Sequence, residues 1–386
     1  MFQSLLHRVW NLPQLGLPIV PDLLIFADTI RSPELRHEVP VPIPDAFIYA
    51  EKDGGRYVFV GSLEIPRIQG IDSIVTVPLE QLGIDELYGQ GLPWYEAERE
   101  LVLRACRKID LDDAVTPRTF PLDAADHLRE NGVILRAEGE IFDERRRVKN
   151  DSELAGIRRA QRAAERAMGA IRDRLKEGGD LTCEDLQAEA LRSFSESGVI
   201  APDMVIVSHG EQTAIGHEPG HGPISEGEAV IADLYPQDPV SGCYADMTRT
   251  FCLGEPPEEL VRYQGLVKEA LDLAVDAIRP GITGKELHRV TCELFQEHGF
   301  PTQLTKDPDK PLEDGFFHSL GHGVGLEVHE LPSLGRLGTE LVAGDVLAVE
   351  PGLYRKGFGG CRLEDLVLVT DDGAEVLTDF PYDLEL

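Results

Sequence analysis

Apolar residues recur along the chain with two different periods, and the switches between them outline the elements. The runs DLLIFADT (22–29), DAFIYAEK and RYVFVGS are short and rich in aliphatic and aromatic residues, which predicts strands. The last two flank Asp53-Gly54-Gly55, residues that accept positive φ, so they read as a hairpin. Residues 95–108 and 122–131 read as helices and GVILRAEG (132–139) as a strand. The pattern breaks at Phe142–Asn150, the charged stretch FDERRRVKN. Beyond it Leu154, Ile157 and Ala160 recur at helical spacing, and Asn150 with Glu153 three residues on is the signature of a capping box. Thr182 with Asp185, and Thr283 with Glu286, open two more helices in the same style. DMVIVS, EAVIADLY, CYADMTRTFCL, DVLAVEPGLY and CRLEDLVLVT are Val-rich, separated by Gly and Pro, and predict strands. The order predicts an α/β (α+β) protein of two domains, 1–145 and 146–386. In the second, helices, strands, helices and strands succeed one another as two αβ halves around an antiparallel sheet. No fixed-period repeat is present.

A chain of 386 residues has room for two domains, and a hydrophobic fraction of 42% suffices for packed cores. The formal net charge of -32 repels phosphate backbones, which argues against a nucleic-acid partner; its simplest consequence is solubility. No run approaches the roughly 18 apolar residues of a membrane span. Residues 1–20 are mildly apolar but interrupted by Asn11, Pro13 and Gln14, with no small-residue cleavage site after them, so no signal peptide is expected. The six cysteines (106, 183, 243, 252, 292 and 361) form no C-x-x-C pair, which suits reduced thiols and a cytoplasmic location.

Chemistry enters with five residues in strand-like segments: Asp233, Asp246, His322, Glu350 and Glu364. Acidic residues in apolar runs are costly to bury unless paired or bound to a cation. Singly, each reads most simply as a strand end facing water. Together they form a hard donor set that suits Mn, Co or Zn, and carboxylate bridges allow two ions side by side. A second cluster, HSLGHGVGLEVHE, holds His318, His322 and His329, and its Gly321, Gly323 and Gly325 argue for close backbone approach rather than a helix. GHEPGHGP (216–223) brings His217 and His221 near the first aspartate strand. His217–His221 literally matches H-E-x-x-H, the zinc-protease helix motif. Pro219 and Gly220 inside it would cost a helix about 3 and 1 kcal/mol, so that reading is set aside.

In this order the segments RRVKNDSEL, VIADLYPQDPVSGCYADMTRTF, HSLGHGVGLEVHE, AVEPGLY and CRLEDLVLVTDDGAEVLT resemble the creatinase and aminopeptidase P family of peptidases. The resemblance spans the whole chain, loosely before residue 150 and closely after it. It implies the pita-bread fold, with pseudo-symmetric αβ halves around a curved antiparallel sheet behind a smaller creatinase-type N-terminal domain. It makes Asp233, Asp246, His322, Glu350 and Glu364 the ligands of two divalent ions, Mn ahead of Co or Zn. His217, His329 and His318 match histidines at the substrate, and Arg362 matches an arginine that braces the ligand carboxylates. The implied reaction is hydrolysis of the bond before proline in small proline-containing peptides, with a water shared by the two ions as nucleophile, Glu350 moving its proton, and His329 and His217 steadying the oxyanion. The resemblance also implies a homodimer. Two modes share these residues: an Xaa-Pro aminopeptidase, favoured slightly by the DLYP…ADMTRTF segment, and an Xaa-Pro dipeptidase (prolidase).

Two departures from the family stand out. The aspartates lie thirteen positions apart where eleven is usual, and an insertion of two keeps side-chain alternation, so both can face one site. Cys243 occupies a position where tyrosine is common, and Asp238 in the lengthened loop is a weaker alternative to Asp233. The intact ligand set argues against a metal-free creatinase-like hydrolase and a non-enzymatic binding module. The size of the N-terminal part argues against a methionine aminopeptidase.

Overall fold

A computed structural model describes residues 21–386, so the expectation about a leader at 1–20 lies outside the described residues. The chain divides into two compact units, 1–142 and 143–386.

In the first unit six strands form one mixed sheet: β1 (Leu23–Ala27), β2 (Phe47–Lys52), β3 (Gly55–Val60), β4 (Ile74–Pro78), β5 (Asp113–Thr116) and β6 (Ile134–Ala137), in the order β4-β3-β2-β1-β5-β6. The predicted hairpin is β2–β3, closed at Lys52 opposite Gly55 with Asp53 and Gly54 at φ 50° and 80°. Alternation then sorts the strands into two faces. Leu24, Ile48, Ala50 and Phe59 share a core with the helices Trp94–Lys108 and Leu122–Glu130, while Leu23, Ile25, Tyr49 and Val58 fill a core on the other side.

The second unit opens with the helix Asp151–Glu177. Its capping box is formed: Asn150 Oδ1 accepts from the Glu153 N–H at 3.0 Å, and Glu153 Oε2 accepts from the Asn150 N–H at 2.9 Å. Asn150→Ala is expected to destabilise this unit by about 1 kcal/mol, read as a lower urea midpoint at unchanged slope. Ile157, Ala160, Ala164, Ala167, Ile171 and Leu175 make the buried stripe of this helix. The boxes at Thr182 with Asp185 and Thr283 with Glu286 are formed as well, opening the helices Cys183–Glu196 and Gly284–Glu297.

Nine strands follow: β7 (Ile206–His209), β8 (Ala229–Leu234), β9 (Met247–Cys252), β10 (Gly321–Gly323), β11 (Val346–Val349), β12 (Gly352–Arg355), β13 (Gly359–Arg362), β14 (Asp365–Val369) and β15 (Ala374–Val376). All pair antiparallel, but in three ladders rather than one continuous sheet: β7-β8-β9, β10-β11-β14-β15 and β12-β13. The helices 151–177 and 183–196 share one core with the first ladder, and the helices Glu258–Ala277 and 284–297 share another with the second, which gives the two αβ halves.

One expectation changes. The runs DVLAVEPGLY and CRLEDLVLVT each break in the middle. Pro351 has no N–H to give a ladder, and the Glu364 N–H donates instead to the Thr248 carbonyl at 3.1 Å. Asp233 and His322 therefore sit within strands, whereas Asp246, Glu350 and Glu364 stand one residue outside β9, β11 and β14. The charged stretch 142–150 is packed into the fold. Arg146 and Arg147 are buried, and Arg147 makes a two-pronged pair with the fully buried Asp345 at 3.0 and 2.8 Å.

Candidate metal centre

The β8–β9 hairpin sets the first two carboxylates. Asp233 pairs with Thr248, and the same register runs on past the strand ends, through the Ala245 N–H on the Pro236 carbonyl and the Asp238 N–H on that of Cys243. With a period of two, Asp233, Asp246 and Thr248 face one side despite the longer hairpin. Asp238 builds the turn. It accepts from Arg159 at 3.0 and 2.8 Å and from the Ser241 N–H and hydroxyl at 2.8 and 2.7 Å. Cys243 faces the other way, into an apolar cluster with Ile157, Ala160 and Val346, and burial pushes its thiol pKa up.

His322 comes from β10, paired with Ala348 of β11. A Cβ on Gly321 would overlap the Ala348 carbonyl oxygen and one on Gly323 that of Leu331, so this strand fits only with glycine on each side of the histidine. Arg249, fully buried, stitches the two halves: one guanidinium nitrogen donates to the Thr248 and Glu364 carbonyls at 2.9 and 2.8 Å, another to Asp365 at 2.9 Å.

Asp246, His322 and Glu364 each bring a donor atom within 4.8 Å of the others'. His322 Nε2 lies 3.9 Å from Asp246 Oδ2 and 3.7 Å from Glu350 Oε1, while its Nδ1 stands 3.2 Å from the Gly323 carbonyl oxygen. That backbone partner suits a tautomer with Nε2 free as a ligand. Asp233 joins the group through Arg362, whose guanidinium donates to Asp233 at 2.6 Å and to the Tyr354 hydroxyl at 3.2 Å. Thr248 donates to Glu364 at 2.7 Å. The reading of these acids as strand ends facing water fails for Asp246 and Glu364, which are buried.

Electrostatics show the same strain on the set. Burial, then the charges of Glu364, Asp233 and Glu350, push Asp246 well above the usual carboxylate range. Burial and the charges of Asp233 and Glu350 do the same to Glu364. Burial lifts Glu350 to about 7 against the pull of Arg362. Burial takes His322 down to about 3, with His329 adding to it. Buried like charges cannot all ionise without a cation. Asp246 Oδ1, buried, has no hydrogen-bond partner among the described residues. Such an orphaned oxygen among hard donors fits a divalent ion.

The remaining histidines line up outward from this centre. The His329 ring packs on that of His322 at 4.1 Å, and His217 lies 6.4 Å beyond His329. His217 has φ 60° and Gly220 φ 85°, so H-E-P-G-H is no helix, as its proline and glycine imply; His221 is exposed beside Glu218. Both ring nitrogens of His318 are engaged, Nδ1 with the Ser319 carbonyl at 2.7 Å and Nε2 with the Tyr354 hydroxyl at 2.9 Å, and burial takes its pKa down to about 3. Sequence reading missed Thr248 and Tyr354. Thr248 had a signal, since it lies two residues after Asp246 on the same strand face; Tyr354 had none beyond its place in EPGLY.

A model of Metallopeptidase family M24 matches residues 155–371. The Xaa-Pro dipeptidase of Pyrococcus furiosus is 34% identical over 242 residues, which are 62% of this chain and 65%, just under two thirds, of that protein. The probable dipeptidase PepE of Mycobacterium tuberculosis is 31% identical over 314 residues, 75% of this chain and 78% of its own. Among solved structures, the Xaa-Pro dipeptidase from Bacillus anthracis superposes with a TM-score of 0.77 at 24% identity, covering 95% of each chain. The X-Pro aminopeptidase from Thermotoga maritima gives 0.76 at 21%, covering 94% of this chain and 97% of the other.

Proposed function

Because the chain belongs to metallopeptidase family M24, a family of hydrolases, we propose that it cleaves the bond between a first residue and a following proline in small peptides. The observation that carries this is the convergence of buried carboxylates on His322 with one oxygen of Asp246 left unpartnered. Asp233, Asp246, His322, Glu350 and Glu364 would hold two divalent ions, for which an oxygen-rich set favours Mn over Co or Zn. When bound, such ions lower the pKa of water toward about 7 and polarise the scissile carbonyl.

The chain's own groups do the rest. Glu350 stands at the end of β11 with its N–H on the Leu320 carbonyl at 2.8 Å, so its carboxylate is held at His322 to take a proton and pass it to the leaving nitrogen. His329, and His217 beyond it, would donate to the developing oxyanion, each donor being worth about 3 kcal/mol. Arg362 keeps Asp233 oriented, and Tyr354 ties Arg362 to His318. The reading includes a cytoplasmic homodimer.

Two substrate lengths fit these residues. The relatives named dipeptidases support cleavage of Xaa-Pro itself. The DLYP…ADMTRTF segment supports removal of the first residue from longer peptides. The test is incubation with Mn and either Ala-Pro or Ala-Pro-Pro-Ala, with and without a chelator. Chelator-sensitive cleavage is expected. Cleavage of the dipeptide alone makes the protein a dipeptidase, and cleavage of the longer peptide makes it an aminopeptidase. Two bound metals with neither peptide cleaved would move the site to another amide, and no metal with no cleavage would end the proposal.

A further inference from the structure

We infer that Lys149 is a positioning residue which, through the buried carboxylate of Glu330, fixes the imidazole of His329 against His322; this rests on the role given to His329 above. Lys149 stands one residue before Asn150, so the capping box sets the direction from which its side chain departs. Its ammonium donates to the Arg146 carbonyl at 2.7 Å and to Glu330 Oε1 in a still closer contact, and both side chains of this pair are 3% exposed. The Glu330 backbone is equally committed. The Gly323 N–H donates to its carbonyl at 3.0 Å, and its own N–H donates to that of Gly323 at 2.9 Å. Gly325 leaves room for the pair, since a Cβ there would stand 2.5 Å from Glu330 Oε1 and 2.8 Å from Lys149 Nζ.

His329 precedes this doubly held residue. It is exposed, and no hydrogen bond among the described residues holds its ring, which packs on His322 at 4.1 Å. The ring's place against His322 therefore depends on the backbone that carries it, which Glu330 holds through its bonds to Gly323 and its ion pairs to Lys149 and Arg146. A buried ion pair gains little net stability over an apolar pair of similar volume, so what this one contributes is a single permitted geometry. Lys149 lies 181 positions from Glu330 in the chain, so the link joins the start of the long helix to the histidine segment.

The test pairs a spectrum with a mutant cycle on the full chain. In Lys149→Met, the imidazole proton–nitrogen resonances of His329, assigned by their loss in His329→Ala, are expected to shift and broaden, with Lys149→Arg restoring them. With Mn and the better of the two peptides, Lys149→Met should lower kcat by about tenfold or more while KM changes less than about threefold. In the His329→Ala background the same substitution should cause no further loss, because both act through one ring. Glu330→Gln should behave as Lys149→Met does and replaces it in the cycle if that variant does not fold. Unchanged His329 resonances, or losses that multiply in the double variant, overturn the inference. Wild-type protein that cleaves neither peptide overturns the hydrolytic reading instead, and the resonances then still decide whether Lys149 positions His329.

Discussion

Glu350→Gln is expected to lower kcat on an Xaa-Pro peptide by about 10²–10⁴-fold, the range that a positioned acid–base group contributes. Gln has nearly the same volume and keeps the backbone bond to Leu320, so the β11 end that carries the residue should hold its shape. What disappears is an oxygen able to accept a proton and, in the same atom, a charge facing His322 at 3.7 Å. Metal content measured on the same sample separates the two. Two ions retained with turnover lost assigns the defect to proton handling, and one ion lost assigns it to ligation. Turnover within a factor of about three of wild type would remove Glu350 from the reaction.

Stripping the metal is expected to abolish cleavage and also to change how stability depends on pH. A ligand at 100 times its Kd adds about 2.7 kcal/mol to the folded state. For a unit of this size that corresponds to a Tm higher by about 5–10 °C. Without a cation, Asp246 and Glu364 are held well above their ordinary values of 3.8 and 4.5, and Glu350 near 7. A carboxyl raised on folding keeps its proton in the native state while the unfolded chain has lost it, so stability falls as pH rises from those ordinary values through the raised ones. Burial holds His318 and His322 near 3, and they oppose this trend below their ordinary value of 6.5, so the metal-free Tm should decline from about pH 6.5 to pH 8, and added Mn should flatten that decline. A metal-free Tm that rises over this range would mean that the acids are not packed as described.

How much of this was legible in the sequence depends on the range of the interaction. The three capping boxes, the Asp53-Gly54 hairpin and the facing of Asp233 with Asp246 follow from rules spanning a few residues, and each is formed. The order of motifs carried the family and, with it, the pita-bread fold, which the solved relatives share over nearly the whole chain. Pairings across the chain were not legible. RRVK read only as a charged boundary because its partners Glu327, Glu330 and Asp345 lie far downstream. Tyr354 gave no signal because its hydroxyl serves two groups, His318 and Arg362, that only the fold brings to it. The breaks at Glu350 and Glu364 were hidden because apolar residues continue on both sides, and the hydrogen bonds that interrupt the strands come from elsewhere.

The proposed donors are divided between the halves: Asp233 and Asp246 on the β8–β9 hairpin, His322, Glu350 and Glu364 on segments that begin some seventy positions later. During synthesis a ribosome that has just released the first half has made two aspartates and no imidazole to complete the set. The emerging chain does not carry the proposed donor set complete until Glu364 has been made. The proposed site is thereby a product of both halves, and a chain terminated before Glu364 lacks part of its donor set.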